Sequence, residues 1–257
     1  MSVSALATRG LVKRFGQKVA VAGLDLEVPA GSLFGLVGPN GAGKTTTLSM
    51  VTGLLRPDAG QVLVGGIDVW ADPAAAKARM GVLPDGMRMF DRLSGRELLR
   101  YVGLLRRIPP EVLDARCAEL LTVLDLASAA DTLVVDYSAG MAKKIGLACA
   151  LVHAPRLLLL DEPFESVDPV SGEVIRGILR DFVAGGGTVV LSSHVMELVE
   201  QLCDHVGVVA AGRVLATGPL DEVRAGRPLQ ARFLDLLGAP TGREGGLSWL
   251  RSSSGSS

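Results

Sequence analysis

The spacing of apolar positions changes in blocks along this chain, and each block predicts an element. Between residues 5 and 28 apolar and polar positions alternate, with breaks at Gly10, Gly16 and Gly23. Period-two alternation puts every other side chain on one face, so this region reads as short antiparallel strands. Residues 32–37 form a short apolar run of the kind that makes a strand buried on both faces. Residues 46–52 read as a helix, with Gly53 placed to cap its C-terminus. Residues 59–66 read as a strand followed by a turn, and residues 80–84 as another strand. From about 94 to 154 the pattern becomes helical, with few β-branched runs.

The remaining blocks alternate. Leu157 to Leu160 is a buried strand, 169–184 a helix, and 188–192 a second buried strand followed by a helix through Glu200. Residues 206–209 and 213–216 look like a closing hairpin around Ala210-Ala211-Gly212. Ser94-Gly95-Arg96-Glu97 has the spacing of a capping box and opens a helix over 98–107. Buried strands alternating with helices imply a mainly parallel sheet covered on both faces. The helical stretch at 94–154 reads as an insertion into it, and residues 251–257 as a disordered end.

Composition narrows the class. At 257 residues the chain has enough length for a sizeable core, and 48% hydrophobic content suits an α/β protein. A net charge of −1 supplies no global basic field, so nucleic acid is not expected as a partner. No apolar run approaches the roughly 20 residues of a membrane-spanning helix, and the N-terminus lacks the layout of a signal peptide. Cys117, Cys149 and Cys203 form no metal or disulfide pattern, which suits a reducing cytoplasm.

The chemistry concentrates in two stretches. Gly38-Pro39-Asn40-Gly41-Ala42-Gly43-Lys44-Thr45 fits the phosphate-loop pattern G-x-x-x-x-G-K-[ST], and it stands between the predicted strand and helix as that loop requires. Glycines let successive N–H groups turn towards phosphate oxygens, and the helix points its positive end at the same anion. Lys44 reaches the outer phosphates, and the Thr45 hydroxyl is placed for Mg²⁺, with Thr46 beside it. The second stretch, Leu157-Leu158-Leu159-Leu160-Asp161-Glu162-Pro163, ends a buried strand in two acids. A buried carboxylate needs a partner, and Mg²⁺ at the phosphates supplies one for Asp161. Glu162 is then placed to polarise an attacking water. The G-protein motif Asn-Lys-x-Asp is absent, because Asn40 is the only asparagine.

These motifs, in this order, resemble the ATP-binding cassette family over about residues 5–225. Tyr137-Ser138-Ala139-Gly140-Met141 stands where the family places its Leu-Ser-Gly-Gly-Gln signature. It looks like the tyrosine-serine-x-glycine-methionine variant of some exporter-type (ABC-2) cassettes. The better-spelled Leu93-Ser94-Gly95 lies too far upstream, inside the capping box. The resemblance implies that Ser138 and Gly140 bind the γ-phosphate held by a second copy in a head-to-tail dimer. It implies that Phe15 stacks on adenine, that His194 contacts the γ-phosphate, and that Ser166-Val167-Asp168 communicates across the dimer. Asp85 stands where the family has a glutamine that contacts Mg²⁺ and water. As a shorter, charged residue it reaches metal through water or acts in coupling. Met87, Met89 and Phe90 beside it line either a groove for a membrane partner or a packed loop.

The expected fold is therefore an α/β P-loop NTPase core with a mainly parallel sheet, an N-terminal antiparallel β subdomain and an inserted helical subdomain. Its expected boundaries are 1–88 and 156–227 for the core, 89–155 for the helical insertion and 228–257 for a short tail. The implied function is the ATPase subunit of a transporter, working with ATP and Mg²⁺ and with separate permease subunits at the cytoplasmic face of the membrane. The alternative is a soluble cassette ATPase acting mechanically on nucleic acid or the ribosome.

Overall fold

The alternating N-terminal segment makes longer strands than its glycines suggest. The computed structural model describes residues 4–86, 90 and 92–238. In it β1 (Ser4–Phe15) and β2 (Lys18–Pro29) are 12 residues each and turn at Gly16. Gly10 and Gly23 do not end strands. Both have positive φ, and the pairing shifts register between Thr8 and Leu11, opposite Leu24. A bulge of this kind bends a strand without terminating it.

The chain continues through β3 (Leu33–Val37), α1 (Lys44–Val51), β4 (Ala59–Val64), β5 (Ile67–Asp68), α2 (Pro73–Ala78) and β6 (Met80–Leu83). A helical run follows: α3 (Gly95–Leu105), α4 (Pro110–Val123) and α5 (Ala139–Leu151). The remainder is β7 (Leu157–Leu160), α6 (Pro169–Ala184), β8 (Thr188–Ser193), α7 (Met196–Leu202), β9 (His205–Ala210), β10 (Arg213–Pro219), α8 (Leu220–Arg224) and α9 (Leu229–Leu236). Ser94 and Glu97 form the reciprocal capping box at α3. That helix ends at Leu105, two residues before the expected limit, where Arg107 turns the backbone to positive φ. The described part of the tail is helical in α9, where Phe233 is buried. Met87, Met89 and residues 239–257 lie outside the described residues.

Two sheets result. One is antiparallel, in the order β2-β1-β4-β5; the other is ordered β10-β9-β3-β8-β7-β6 and is parallel from β9 to β6. The strands β3, β7 and β8 are buried throughout, which explains their unbroken apolar runs. One hydrophobic cluster joins the antiparallel sheet to one face of the parallel sheet through Leu24, Phe34, Leu36, Leu159 and Val190. A second cluster packs the opposite face against α3 to α7 through Leu99, Ile145, Leu158, Leu160 and Ile175. Neighbouring side chains of one strand thus enter different clusters, as pleating requires.

Candidate nucleotide-binding site

The parallel register gathers the site. Leu83 pairs with Leu160, Leu160 with Leu191, and Val37 with Ser193, so β6, β7, β8 and β3 end at one level. Asp85, Asp161-Glu162, Ser192 to His194 and the glycine loop all follow from those ends. In open parallel sheets the crevice beyond the carboxyl ends is where ligands bind. Here a cleft of about 450 Å³ opens there, lined by Phe15, Asn40 to Thr46, Asp85, Glu162, Glu165 and His194, with Lys18 and Ala20 from β2.

The loop is shaped by close approaches that only glycine allows. A Cβ on Gly38 would lie 2.1 Å from the Val209 carbonyl oxygen, and one on Gly43 2.6 Å from that of Ala20. Gly43 also sits at φ 104° as the N-cap of α1. The hairpin between β9 and β10 braces the loop: Gly212 N–H donates to the Ala42 carbonyl, and Ala22 N–H donates to the Gly212 carbonyl, each at 2.9 Å. Lys44 is 5% exposed and its Nζ donates to the carbonyls of Gly38 at 2.7 Å and Pro39 at 3.4 Å. The same ammonium stands 3.5 Å from Glu162 Oε1.

Five contacts hold Glu162. Its N–H donates to Ser192 Oγ at 2.9 Å, and its carbonyl accepts from Lys143 Nζ at 2.8 Å and from Glu165 N–H at 3.2 Å. Its carboxylate faces Lys44 on one oxygen and His194 Nδ1, 3.1 Å away, on the other. The residue has φ 45°, a conformation that costs a non-glycine residue energy and persists where its surroundings over-determine it. Asp161 beside it is 5% exposed and accepts a short hydrogen bond from Ser192 Oγ. Burial raises its pKa above the ordinary carboxylate value, against the lowering pull of the Ser192 and Thr45 hydroxyls; the charges of Asp85 and Glu162 add to the rise.

The other expected residues divide into those the fold brings into the cleft and those it does not. Phe15 lies at the mouth with half its surface exposed and Lys13 Nζ 5.9 Å from the ring centroid, so it is not a core residue. Asp85 lines the cleft, but its carboxylate accepts from Gly86 N–H and faces Lys143 Nζ at 3.7 Å. Ser138 caps α5, accepting from Met141 N–H at 3.2 Å, and is exposed. Neither Ser138 nor Gly140 lines the cleft of its own chain. Gly140 instead packs on α6, where a Cβ would meet Asp168 Oδ2 at 2.8 Å. Asp168 caps α6 through Ser171 N–H at 2.9 Å, and that bond lowers its pKa.

Sequence reading missed three participants: Ser192, Lys143 and Gly212. Ser192 carried a usable signal, since a hydroxyl at the end of an otherwise apolar buried strand needs a partner. The glycine cradle and buried lysine fit a polyphosphate. The Thr45 and Asp161 oxygens are hard donors that fit Mg²⁺, and a cation beside Asp161 would offset the burial that raises its pKa.

Comparisons with known proteins agree with this geometry. The pattern of the ABC transporter family matches residues 21–165. The daunorubicin resistance ATP-binding protein DrrA3 of Streptomyces coeruleorubidus is 40% identical over 225 residues, covering 88% of this chain and 71% of that protein. The linearmycin resistance ATP-binding protein LnrL of Bacillus subtilis is 36% identical over 213 residues, covering 83% and 68%. A solved ATP-binding subunit of an ABC transporter superposes with a TM-score of 0.85 at 26% identity, covering 91% of this chain and all of that one. The matched motifs and the glycine-braced cleft together place the chain in the ABC transporter family, among its ATP-binding subunits.

Proposed function

We propose that this chain hydrolyses ATP to ADP and phosphate as one half of a head-to-tail pair, and so powers export through separate membrane subunits at the cytoplasmic face. The observation that carries the chemistry is the Glu162 carboxylate, held in the cleft between Lys44 and His194. With ATP bound, Lys44 exchanges the Gly38 and Pro39 carbonyls for phosphate oxygens, and the N–H groups of residues 40–45 surround the same charge. Bound Mg²⁺, held by Thr45 and Asp161, would neutralise phosphate charge. Glu162 accepts a hydrogen bond from the attacking water and takes its proton at a carboxylate oxygen. His194 turns from Glu162 to the γ-phosphate, and Phe15 offers its exposed face to the adenine ring.

The pair is supported by what the cleft lacks in one chain. Ser138 is exposed at a helix N-terminus and lies outside its own cleft, so it is available to a second copy's γ-phosphate. Two charge-assisted bonds per site over two sites amount to roughly 6–12 kcal/mol gross. Moving a closure equilibrium from 1:99 to 99:1 needs about 5.5 kcal/mol. Hydrolysis removes the γ-phosphate contacts and with them the bias towards closure.

Export and a membrane partner are supported by the relatives, which are named for drug resistance and Nod factor export. No helix among the described residues is long and apolar enough to cross a membrane. Phe90 and Tyr101 form an exposed edge-to-face pair with centroids 5.2 Å apart, and Leu104 and Leu105 are exposed further along α3. That apolar surface suits the membrane subunits. The test is Glu162→Gln: ATP binding persists, phosphate release falls by about a thousandfold, and a dimer accumulates with ATP. Undiminished phosphate release refutes the assignment of Glu162.

A further inference from the structure

Three segments that are remote in sequence meet on one ammonium group. Lys143, on the second turn of α5, donates to the Glu162 carbonyl at 2.8 Å and lies 3.7 Å from Asp85 Oδ1. Its side chain is largely buried, and Asp85 and Glu165 are the acids of the hollow it lines with Ser166. It does not line the nucleotide cleft.

The bond has a mechanical consequence. Glu162 sits at positive φ beyond the end of β7, and two donors meet its carbonyl: Lys143 Nζ at 2.8 Å and Glu165 N–H at 3.2 Å. The Ser192 hydroxyl ties the N–H side of the residue to β8; on the carbonyl side the Glu165 bond lies within the same turn, and Lys143 ties that turn to α5. Loss of Lys143 leaves the carbonyl only its longer bond within the turn, so the turn can relax as a unit and swing the Glu162 carboxylate away from Lys44 and His194. Asp85, where a neutral amide stands in the resembled family, supplies a negative charge that suits a lysine at 143.

We propose that Lys143 is a positioning residue for the Glu162 carboxylate, and that Asp85 acts as its counter-charge. The proposal rests on the reading of Glu162 as the base. It also gives α5 a direct hold on the hydrolytic residue, because the helix that presents Ser138 and Gly140 carries Lys143 as well. A shift of α5 when a second copy engages its N-terminus moves the Glu162 peptide with it.

The test compares Lys143→Met, Lys143→Arg, Asp85→Asn and the Lys143→Met/Asp85→Asn pair in the full chain. Phosphate release is measured over series of ATP and Mg²⁺, with denaturant midpoints and titration by a fluorescent ATP analogue alongside. Lys143→Met is expected to lower kcat by about tenfold or more with KM for ATP within about twofold, since Lys143 touches no nucleotide. Lys143→Arg, which keeps a charged donor, recovers most of that loss. Asp85→Asn lowers kcat less, leaves the Mg²⁺ requirement unchanged and adds nothing in the Lys143→Met background.

An unchanged kcat in Lys143→Met overturns the proposal. So does Lys143→Arg as impaired as Lys143→Met at an equal denaturant midpoint. A shifted Mg²⁺ requirement in Asp85→Asn overturns the counter-charge role. Glu162→Gln separates the two layers: normal turnover there defeats the base assignment, whereas an inactive Glu162→Gln with a normal Lys143→Met defeats only this proposal.

Discussion

Ser192→Ala removes one hydroxyl that serves both acids of the site. Ser192 is fully buried; its Oγ donates to Asp161 and accepts from Glu162 N–H at 2.9 Å. A hydrogen bond to a charged group contributes about 1.5–3 kcal/mol, and an orphaned buried N–H costs about 1–3 kcal/mol. Water entering from the cleft recovers part of the second amount, because the Glu162 side chain is 11% exposed. The expected destabilisation of the nucleotide-free chain is about 2–4 kcal/mol, a fall in Tm of roughly 4–16 °C for a protein of this size. Glu162 loses one of its five contacts, so kcat is expected to fall about 10- to 100-fold. Denaturant unfolding and phosphate release measure the two effects separately. A stability change below about 0.5 kcal/mol with unaltered kcat would show that the hydroxyl supports neither acid.

The same geometry sets three other expectations. Gly38→Ala forces a methyl to 2.1 Å from the Val209 carbonyl, where the neighbour is backbone and has no rotamer to yield. It should destabilise by about 2–3 kcal/mol or more and abolish binding of a fluorescent ATP analogue; retained affinity would mean that the loop has another conformation. Asp161 has a raised folded pKa, so its stabilising contribution is present below the ordinary carboxylate range and is lost as pH rises through the raised value. Asp161→Asn is therefore expected to raise the unfolding midpoint of the nucleotide-free chain at pH 7, to flatten its decline over the acidic range, and to lose the stabilisation that ATP with Mg²⁺ confers on the parent. A lower midpoint at pH 7 would contradict the sign. Ser138→Arg should leave ATP binding by single chains intact and eliminate the ATP-dependent dimer in light scattering; persistence of that dimer would sink the role of Ser138 across the pair.

The elements that were legible in the sequence are those whose cause is local. The capping box at Ser94 needs four consecutive residues, and Asp168 caps α6 through a residue three places on. The buried strands at Leu157 and Thr188 show as unbroken apolar runs because both faces are covered. Bulges are less visible. Gly10 and Gly23 look like strand ends from within the segment, yet cross-strand pairing resumes after the shift and keeps β1 and β2 continuous.

For the site, the sequence by itself determined the phosphate loop and the adjacent acids, since glycine freedom, a helix N-terminus and a strand-end carboxylate are properties of contiguous residues. Resemblance also offered Phe15, Ser138 and His194 as candidates, of which Phe15 and His194 line the cleft. Only the tertiary structure decided what meets what. Parallel register brings Ser192 to Asp161 and Glu162 across about 30 residues of chain, folding seats Gly212 over the loop after Gly38, and packing of α5 delivers Lys143 to both Glu162 and Asp85. The physical reason is that hydrogen bonds and ion pairs act over a few ångströms, whatever the separation along the chain. A residue type announces that it needs a partner; the partner is chosen by sheet order and helix packing.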